Sequence, residues 1–298
     1  MKKRLRRVLG AAFRLLIRLA ASLFVRGGKL PDAMAVCHRL SKQGRTGTIG
    51  YFNSTGEPPR GVADASLAAL DMLATAGVGS YLSIKAPALT FDRALIGQIV
   101  DRAGRAGIGV HFDSHGHDVA DPTFDAIEHA VRRLSAAQAA GAAGWTVGCT
   151  LPGRWQRSLA DADRAAELGL RVRVAKGQWV DPTHPDIDMR EGCLALVDRL
   201  AGKVHHVAIA SHDPPLAYEA LRRLQRAGAS CELELLVGLP MQGALRVARE
   251  LRVPVRIYVP FGVSWVPYAL THVQQNPHVA LWALRDATLG RLFRLHTP

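Results

Sequence analysis

The chain has no acidic residue before Asp32, yet basic residues begin at the second position: Lys2, Lys3, Arg4, Arg6, Arg7, Arg14, Arg18 and Arg26. Much of the formal net charge of +13 is therefore gathered at one end, and the remainder is only mildly basic. Aromatic residues make up 6% of the chain and are not interleaved with the basic ones, and no RNP, zinc-finger or basic-zipper pattern occurs. That combination argues against a nucleic-acid partner. Cysteine is scarce as well. Cys37, Cys149, Cys193 and Cys231 are not paired at metal-ligand spacing, which points to free thiols in a reducing compartment rather than a disulfide framework. No uninterrupted apolar run is long enough to span a bilayer. Residues 8–25 come nearest, but Arg14 and Arg18 break them, and each arginine at the bilayer centre would cost about 2.5 kcal/mol or more. Low-complexity linkers and repeats of solenoid period are also missing. The hydrophobic fraction of 48% excludes disorder of the whole chain.

What the amino-terminal segment has instead is a basic stripe. On a helix advancing about 100° per residue, Arg4, Arg7, Arg14 and Arg18 fall within roughly 80° of arc, with Leu5, Leu9, Leu16, Leu19, Leu23 and Phe24 outside it. A helix of this kind suits the interface of an anionic membrane. It also suits packing on the body of the protein. An export signal is a third reading, weakened by the arginines in its apolar region and by the lack of an A-x-A cleavage site. The segment 1–28 is accordingly set apart from a single domain over 29–298.

From Gly47 onward short apolar runs alternate with longer amphipathic ones. The short runs, at 47–52, 80–85, 107–114, 144–152, 171–177, 205–211, 231–238 and 253–260, are rich in Val, Ile, Leu or Tyr and predict strands. Helical patterns occupy 63–76, 92–106, 122–140, 159–168, 190–200, 215–227 and 241–251. Asp92, Asp121-Pro122 and Asp213-Pro214 carry helix-start chemistry, and Gly77, Gly169 and Gly228 mark helix ends. Eight β/α units predict an α/β protein with the (β/α)8 TIM-barrel architecture. A doubly wound open sheet would carry a glycine-rich phosphate turn after its first strand, and none follows Tyr51.

Sites in such barrels form at the carboxyl ends of the strands. That rule selects Lys85, then His111, Asp113 and His115, Arg154, Arg173 and Lys176, His212-Asp213, Glu232 and Glu234, and finally Arg256 and Tyr258. Two chemistries compete for this set. His111, Asp113, His115, His117, His212 and Asp213 offer imidazole and carboxylate ligands for metal-assisted hydrolysis. Arg173, Lys176, Gly177 and Trp179 offer cations, a bare backbone and an aromatic wall to an anionic redox cofactor.

Several motifs stand in a telling order. The run Arg173-Val-Ala-Lys-Gly-Gln-Trp179 is followed by Ala210-Ser-His-Asp213, Glu232-Leu-Glu-Leu-Leu-Val-Gly-Leu239 and Arg256-Ile-Tyr-Val-Pro-Phe-Gly262, and preceded by Ser83-Ile-Lys85 and Asp113. Together they resemble the strand motifs of the proline dehydrogenase family across roughly residues 48–276. The resemblance implies FAD as cofactor and hydride transfer from proline, or a related amine or imino acid, to flavin N5. The product would be 1-pyrroline-5-carboxylate or the analogous imine. It places Arg173 near N5, and Lys176, Gly177, Gln178, Trp179, His212 and Glu232 around the cofactor. Lys85, Asp113, Arg173 and Tyr258 become the catalytic set, with Lys85 reaching the substrate carboxylate and Tyr258 shaping its pocket. A quinone or other electron acceptor would reoxidise the flavin. The setting would be cytoplasmic, with peripheral contact at the inner membrane surface among the open readings of the basic segment.

The chain departs from the family at the last motif. Thr271 and His272 stand where the family carries two carboxylate-clamping arginines, and Gln275 stands in place of a glutamate. Three possibilities follow: a replacement cation such as Lys85, His272 or Arg154, a substrate without the α-carboxylate, or flavin binding without this chemistry. The loop Leu151-Pro-Gly-Arg-Trp-Gln-Arg157 is a candidate source of replacement cations, and a surface turn with solvated arginines is its plain alternative.

Overall fold

Apolar residues at every second strand position leave the strands one face for the helices and one for the barrel interior. The computed structural model describes residues 28–139 and 146–264. In it the strands β1 (Thr46–Tyr51), β2 (Tyr81–Ile84), β3 (Val110–Phe112), β4 (Val147–Pro152), β5 (Arg171–Ala175), β6 (Val207–Ala210), β7 (Cys231–Leu236) and β8 (Val255–Phe261) pair in parallel in chain order. Strand β8 pairs back onto β1, which closes the barrel. Helix α1 (Leu30–Ser41) precedes β1. Helices α2 (Pro59–Ala76), α3 (Arg93–Ala106), α4 (Ala120–Ala139), α5 (Ser158–Glu167), α6 (Met189–Leu200), α7 (Pro214–Arg226) and α8 (Gln242–Leu251) follow the successive strands. The expected TIM barrel is thus observed. The basic segment 1–28, apart from Gly28, lies outside the described residues.

The local signals act as their chemistry dictates. The Asp92 carboxylate accepts hydrogen bonds from the Ala94 and Leu95 amides and starts α3, and Asp213 accepts from the Leu216 amide at the start of α7. Gly77 closes α2 in the left-handed region with φ 57°. Asp121-Pro122 behaves differently from expectation, because α4 already begins at Ala120 and the pair lies inside its first turn. The run at 107–114 shortens to three paired residues, since Gly107 is still the end of α3. Helix α1 has no counterpart among the sequence expectations. Its buried face of Ala33, Met34, Cys37 and Leu40 packs on β1 and β8.

The outward strand positions are mostly aliphatic and are buried under the helices, as with Ile49, Leu82, Val172, Leu233 and Ile257. Many inward positions are polar, set among small residues such as Gly50, Gly148 and Ala208. Thr48 of β1 and Tyr81 of β2 both donate to Glu234 of β7, and Arg173 of β5 donates to Asp113 at the end of β3. These strands are not neighbours, so their side chains meet only through the lumen. Ordinary barrels of this type fill that space with branched aliphatics. Here it holds ions.

One close approach sets the seat of α6. A Cβ at Gly192, in the first turn of that helix, would collide with the Gly153 carbonyl oxygen just past β4. Gly192→Ala is therefore expected to destabilise the protein by about 1–3 kcal/mol through overpacking. Calorimetry should show this as a fall in Tm of about 2–4 °C per kcal/mol.

Candidate active site

Arg173 is at the second inward position of β5. Its Nε and Nη2 donate to the two oxygens of Glu234 at 2.8 and 2.7 Å, and its Nη1 donates to Asp113 Oδ1 at 2.7 Å and to Thr150 Oγ1 at 3.2 Å. Glu234 is braced in turn by the Thr48 hydroxyl at 2.8 Å and the Tyr81 hydroxyl at 3.2 Å. Both ions are buried, at 5% and 2% exposure, so neither has water to fall back on. Burial alone would favour a neutral guanidine, but Glu234, Tyr81 and Asp113 outweigh it and hold the charge on Arg173.

Asp113 gathers the upper part of the cluster. Its Oδ1 also accepts from Ser83 Oγ at 2.6 Å, and its Oδ2 accepts from the Tyr258 hydroxyl at 2.8 Å. Lys85 Nζ is 3.6 Å from Oδ2, donates to the Tyr51 carbonyl at 2.7 Å, and lies 4.0 Å over the Phe52 ring. Burial works to raise the Asp113 pKa, but Lys85 and Arg173 pull it well below the usual carboxylate range. Burial lowers the Lys85 pKa in spite of Asp113, and it raises that of Tyr258, with Asp113 adding to the rise. Room for Tyr258 comes from β1, where a Cβ at Gly50 would strike the phenol.

Glu232 is not brought to this cluster. It stands two residues earlier on the same face of β7, about 7 Å nearer the amino-terminal end of the strand. There it accepts from Arg171 and, at 2.7 Å, from Arg256 Nε, with His206 Nε2 at 3.8 Å. Arg171 and Arg256 cover the Tyr81 ring at 4.7 and 4.3 Å to its centroid. Glu232 and Arg256, grouped from the sequence with the rim, therefore belong to a deeper layer. Burial raises the Glu232 pKa, but His206, Arg256 and Arg171 together bring it down to about 2.

The loop after β5 carries the other expected contacts. Lys176 Nζ meets Asp213 Oδ2 at 3.0 Å and remains half-exposed. Gly177 has φ 94°, a left-handed value that favours glycine, and a Cβ there would come within 2.7 Å of Pro152 Cβ. Trp179 is 44% exposed, stacks on His115 at 6.2 Å between centroids, and its carbonyl accepts from Trp155 Nε1 at 2.8 Å. Arg154 reaches the carbonyls of Gly177 and Gln178 and the carboxylate of Asp186, so it staples the loop. Arg157 pairs with Asp121 and Asp161. His212 places Nδ1 on the Pro240 carbonyl and Nε2 on the Leu236 amide, both at 3.0 Å, an arrangement that assigns it the neutral form with the proton on Nδ1. His111 lies inside the barrel against Thr150 Oγ1 at 2.8 Å, and burial drives its pKa well down. Among the described residues no group of three or more His, Cys, Asp or Glu is placed to hold a metal ion. Thr271, His272 and Gln275 lie outside the described residues.

The structure thus unites Lys85, Asp113, Arg173 and Tyr258, and lays Lys176, Gly177, Gln178 and Trp179 along the adjoining loop. Thr48, Tyr81, Thr150 and Arg171 escaped sequence reasoning. Their signal was available, since each occupies the inward parity of an alternating strand.

The buried carboxylates predict acid lability. Asp113 and Glu232 have folded pKa values below the unfolded range of about 4, so the unfolded chain binds more protons as pH falls. Their stabilisation is fully present above that range and is lost as pH drops toward the folded values. Thermal melts from pH 7 to pH 3 should show Tm falling below about pH 4.5. In Glu232→Gln the fall should be shallower, from a lower starting value.

Comparison with known proteins gives the same frame. No family model matches the chain. It is 22% identical to a proline dehydrogenase of Deinococcus radiodurans over 91% of its own length and 90% of that protein. It is 23% identical to proline dehydrogenase 1 of Bacillus subtilis strain 168, over 90% of both. Among solved structures, proline utilization A from Bdellovibrio bacteriovorus, inactivated by N-propargylglycine, superposes with a TM-score of 0.70 at 15% identity, covering 86% of this chain. A variant of proline utilization A from Bradyrhizobium japonicum gives 0.64 at 18% identity over 85%. The chain spans 32% and 31% of those two longer chains, and the likeness establishes the barrel fold. Over nearly its full length, and with the ordered strand motifs on a closed eight-stranded barrel, the chain is similar to the curated proline dehydrogenases.

Proposed function

We propose that the chain is a flavin-dependent dehydrogenase acting on proline or a related cyclic amine or imino acid. The observation that carries this reading is the convergence of Lys85, Asp113, Arg173 and Tyr258 at the carboxyl end of the barrel. These residues sit on the strands whose motifs resemble those of the family, and the curated relatives are proline dehydrogenases.

The residues at the end of β5 fit FAD. Lys176 offers a half-exposed ammonium, Gly177 a backbone without a side chain in a left-handed turn, and Trp179 an exposed indole face. Lys176, Gly177, Gln178 and Trp179 would hold the cofactor. His212 would meet it through its ring rather than its nitrogens, which the Pro240 carbonyl and Leu236 amide engage. Glu232 is left out of this set because Arg171 and Arg256 hold it in the deeper layer. The bound flavin supplies the acceptor for a hydride from the carbon next to the substrate nitrogen, and a quinone or similar acceptor removes the electrons.

The chain's own groups do the rest. Arg173 presents a fixed positive charge beneath the rim, preorganised by Glu234 so that no reorientation is needed during reaction. Asp113 receives the substrate nitrogen while keeping the Tyr258 hydroxyl in place. Lys85 is the group nearest to hand for a carboxylate, and Tyr258 walls the pocket. Contact of the basic segment 1–28 with an anionic membrane surface belongs to the same proposal. Among the described residues no helix is long and apolar enough to cross a membrane.

The test is an absorption spectrum after reconstitution with FAD, followed by anaerobic titration with amines. Flavin bands that bleach support the dehydrogenase reading. Bands that persist with every amine leave a flavin-binding homologue without this chemistry. Arg173→Ala is expected to lose the bound flavin or to slow bleaching by roughly 100-fold or more. Unchanged bleaching in that variant would remove Arg173 from the site.

A further inference from the structure

The rim cluster is close to neutral. Arg173 is matched by Glu234 through two hydrogen bonds and by Asp113 through a third, and Lys85 faces the same Asp113. Among the described residues two cations stand against two carboxylates. The neighbouring cations are committed to other partners: Arg154 to Asp186, Arg157 to Asp121 and Asp161, and Lys176 to Asp213. The stretch that follows β8 carries no arginine pair, and the next arginine in the chain is Arg285. From Ile257 to Leu284 the chain contains neither lysine nor arginine, and that stretch includes Thr271, His272 and Gln275. A substrate carboxylate entering here meets Lys85, whose charge Asp113 already shares. A substrate ammonium meets a better partner, since among the described residues Asp113 Oδ2 has the neutral Tyr258 hydroxyl in hydrogen-bond contact and Lys85 at 3.6 Å.

Building on the dehydrogenase reading above, we propose that this site selects its substrate by the ring nitrogen rather than by a carboxylate. Its preferred substrates are cyclic secondary amines of the pyrrolidine class that lack the α-carboxylate. The oxidation keeps its balance: the bound ammonium first gives one proton to solvent, and the free amine then gives a hydride from the carbon beside nitrogen to the bound flavin and its N–H proton to solvent. A C=N bond remains, so that pyrrolidine yields 1-pyrroline. Asp113 receives the ammonium on binding.

The experiment compares L-proline, L-prolinamide and pyrrolidine as reductants of the FAD-reconstituted full chain under anaerobic conditions. Rates are expressed per concentration of protonated amine. Each hydrogen bond to a charged group contributes roughly ten- to hundredfold in affinity, so a site built for a carboxylate would favour L-proline strongly. The expected result is the reverse: kcat/KM for pyrrolidine and L-prolinamide equal to or above that for L-proline. Cyclopentanecarboxylate, which keeps the carboxylate and lacks the amine, should neither bind by calorimetry nor inhibit where pyrrolidine saturates. A preference for L-proline by about 100-fold or more, or tight binding of cyclopentanecarboxylate, overturns the inference. Asp113→Asn should raise the KM for pyrrolidine at least tenfold, and the panel on the unaltered protein decides the matter if that variant does not fold. Absence of bound flavin, or flavin that none of the three amines reduces, is a different failure: it overturns the dehydrogenase reading and the inference with it.

Discussion

A guanidinium in the middle of a barrel has lost its water, and the surrounding side chains have to replace it. Arg173 is in that position, and the hydrogen bonds from Nε and both Nη atoms determine what the neighbouring strands carry. Glu234 faces it in the two-pronged geometry that suits a planar cation. Thr48 and Tyr81 then orient Glu234, while Ser83 and Tyr258 orient Asp113. Groups from β1, β2, β5, β7 and β8 and the residue just past β3 are tied at one point as a consequence. Removing either carboxylate would leave a buried charge unmatched, the costly side of the asymmetry of buried ion pairs.

Such a network is a poor source of stability in itself, because the desolvation of its ions offsets most of their attraction. The stability of this barrel rests instead on the outer layer, where aliphatic strand positions meet the helices. The division of labour is spatial. The outside of each strand holds the fold together, and the inside is free to carry charge. The deeper layer repeats the principle, with Glu232 held by Arg171 and Arg256 and the Tyr81 ring between the two guanidinium groups. Tyr81 joins the layers, because its hydroxyl reaches up to Glu234.

The loop after β5 shows how a residue's neighbours decide its role. Arg154 stood out from the sequence as a cation for a substrate carboxylate. In the structure it draws the Gly177 and Gln178 carbonyls and Asp186 together, assisted by Trp155 on the Trp179 carbonyl. The loop is fixed by these bonds, and the rim loses a cation it would otherwise have offered. Arg154 is therefore not free to offset the departure at Thr271 and His272.

Local chemistry made the eight strands, most of the helix starts and ends, and the residues at the strand tips legible in the sequence. Alternation, capping and glycine placement act over a few residues and leave their mark in any short window. Lys85, Asp113, Arg173 and Tyr258 were legible for the same reason, since a polar group near the carboxyl end of a barrel strand has few other uses. Helix α1 was not, because its amphipathic face gains meaning only against β1 and β8. Nor was the depth of Glu232 and Arg256, or the partnership of Arg173 with Glu234 across the lumen. Strand parity tells which side chains point inward, but closure of the barrel decides which of them meet. That closure joins residues 61 positions apart for Arg173 and Glu234, and 186 apart for Thr48 and Glu234. The sequence by itself determined the strands, their two faces and the kinds of group each face carries. Only the tertiary structure decided the pairing of those groups, because charges in a desolvated lumen settle on the partners that closure brings within hydrogen-bonding reach.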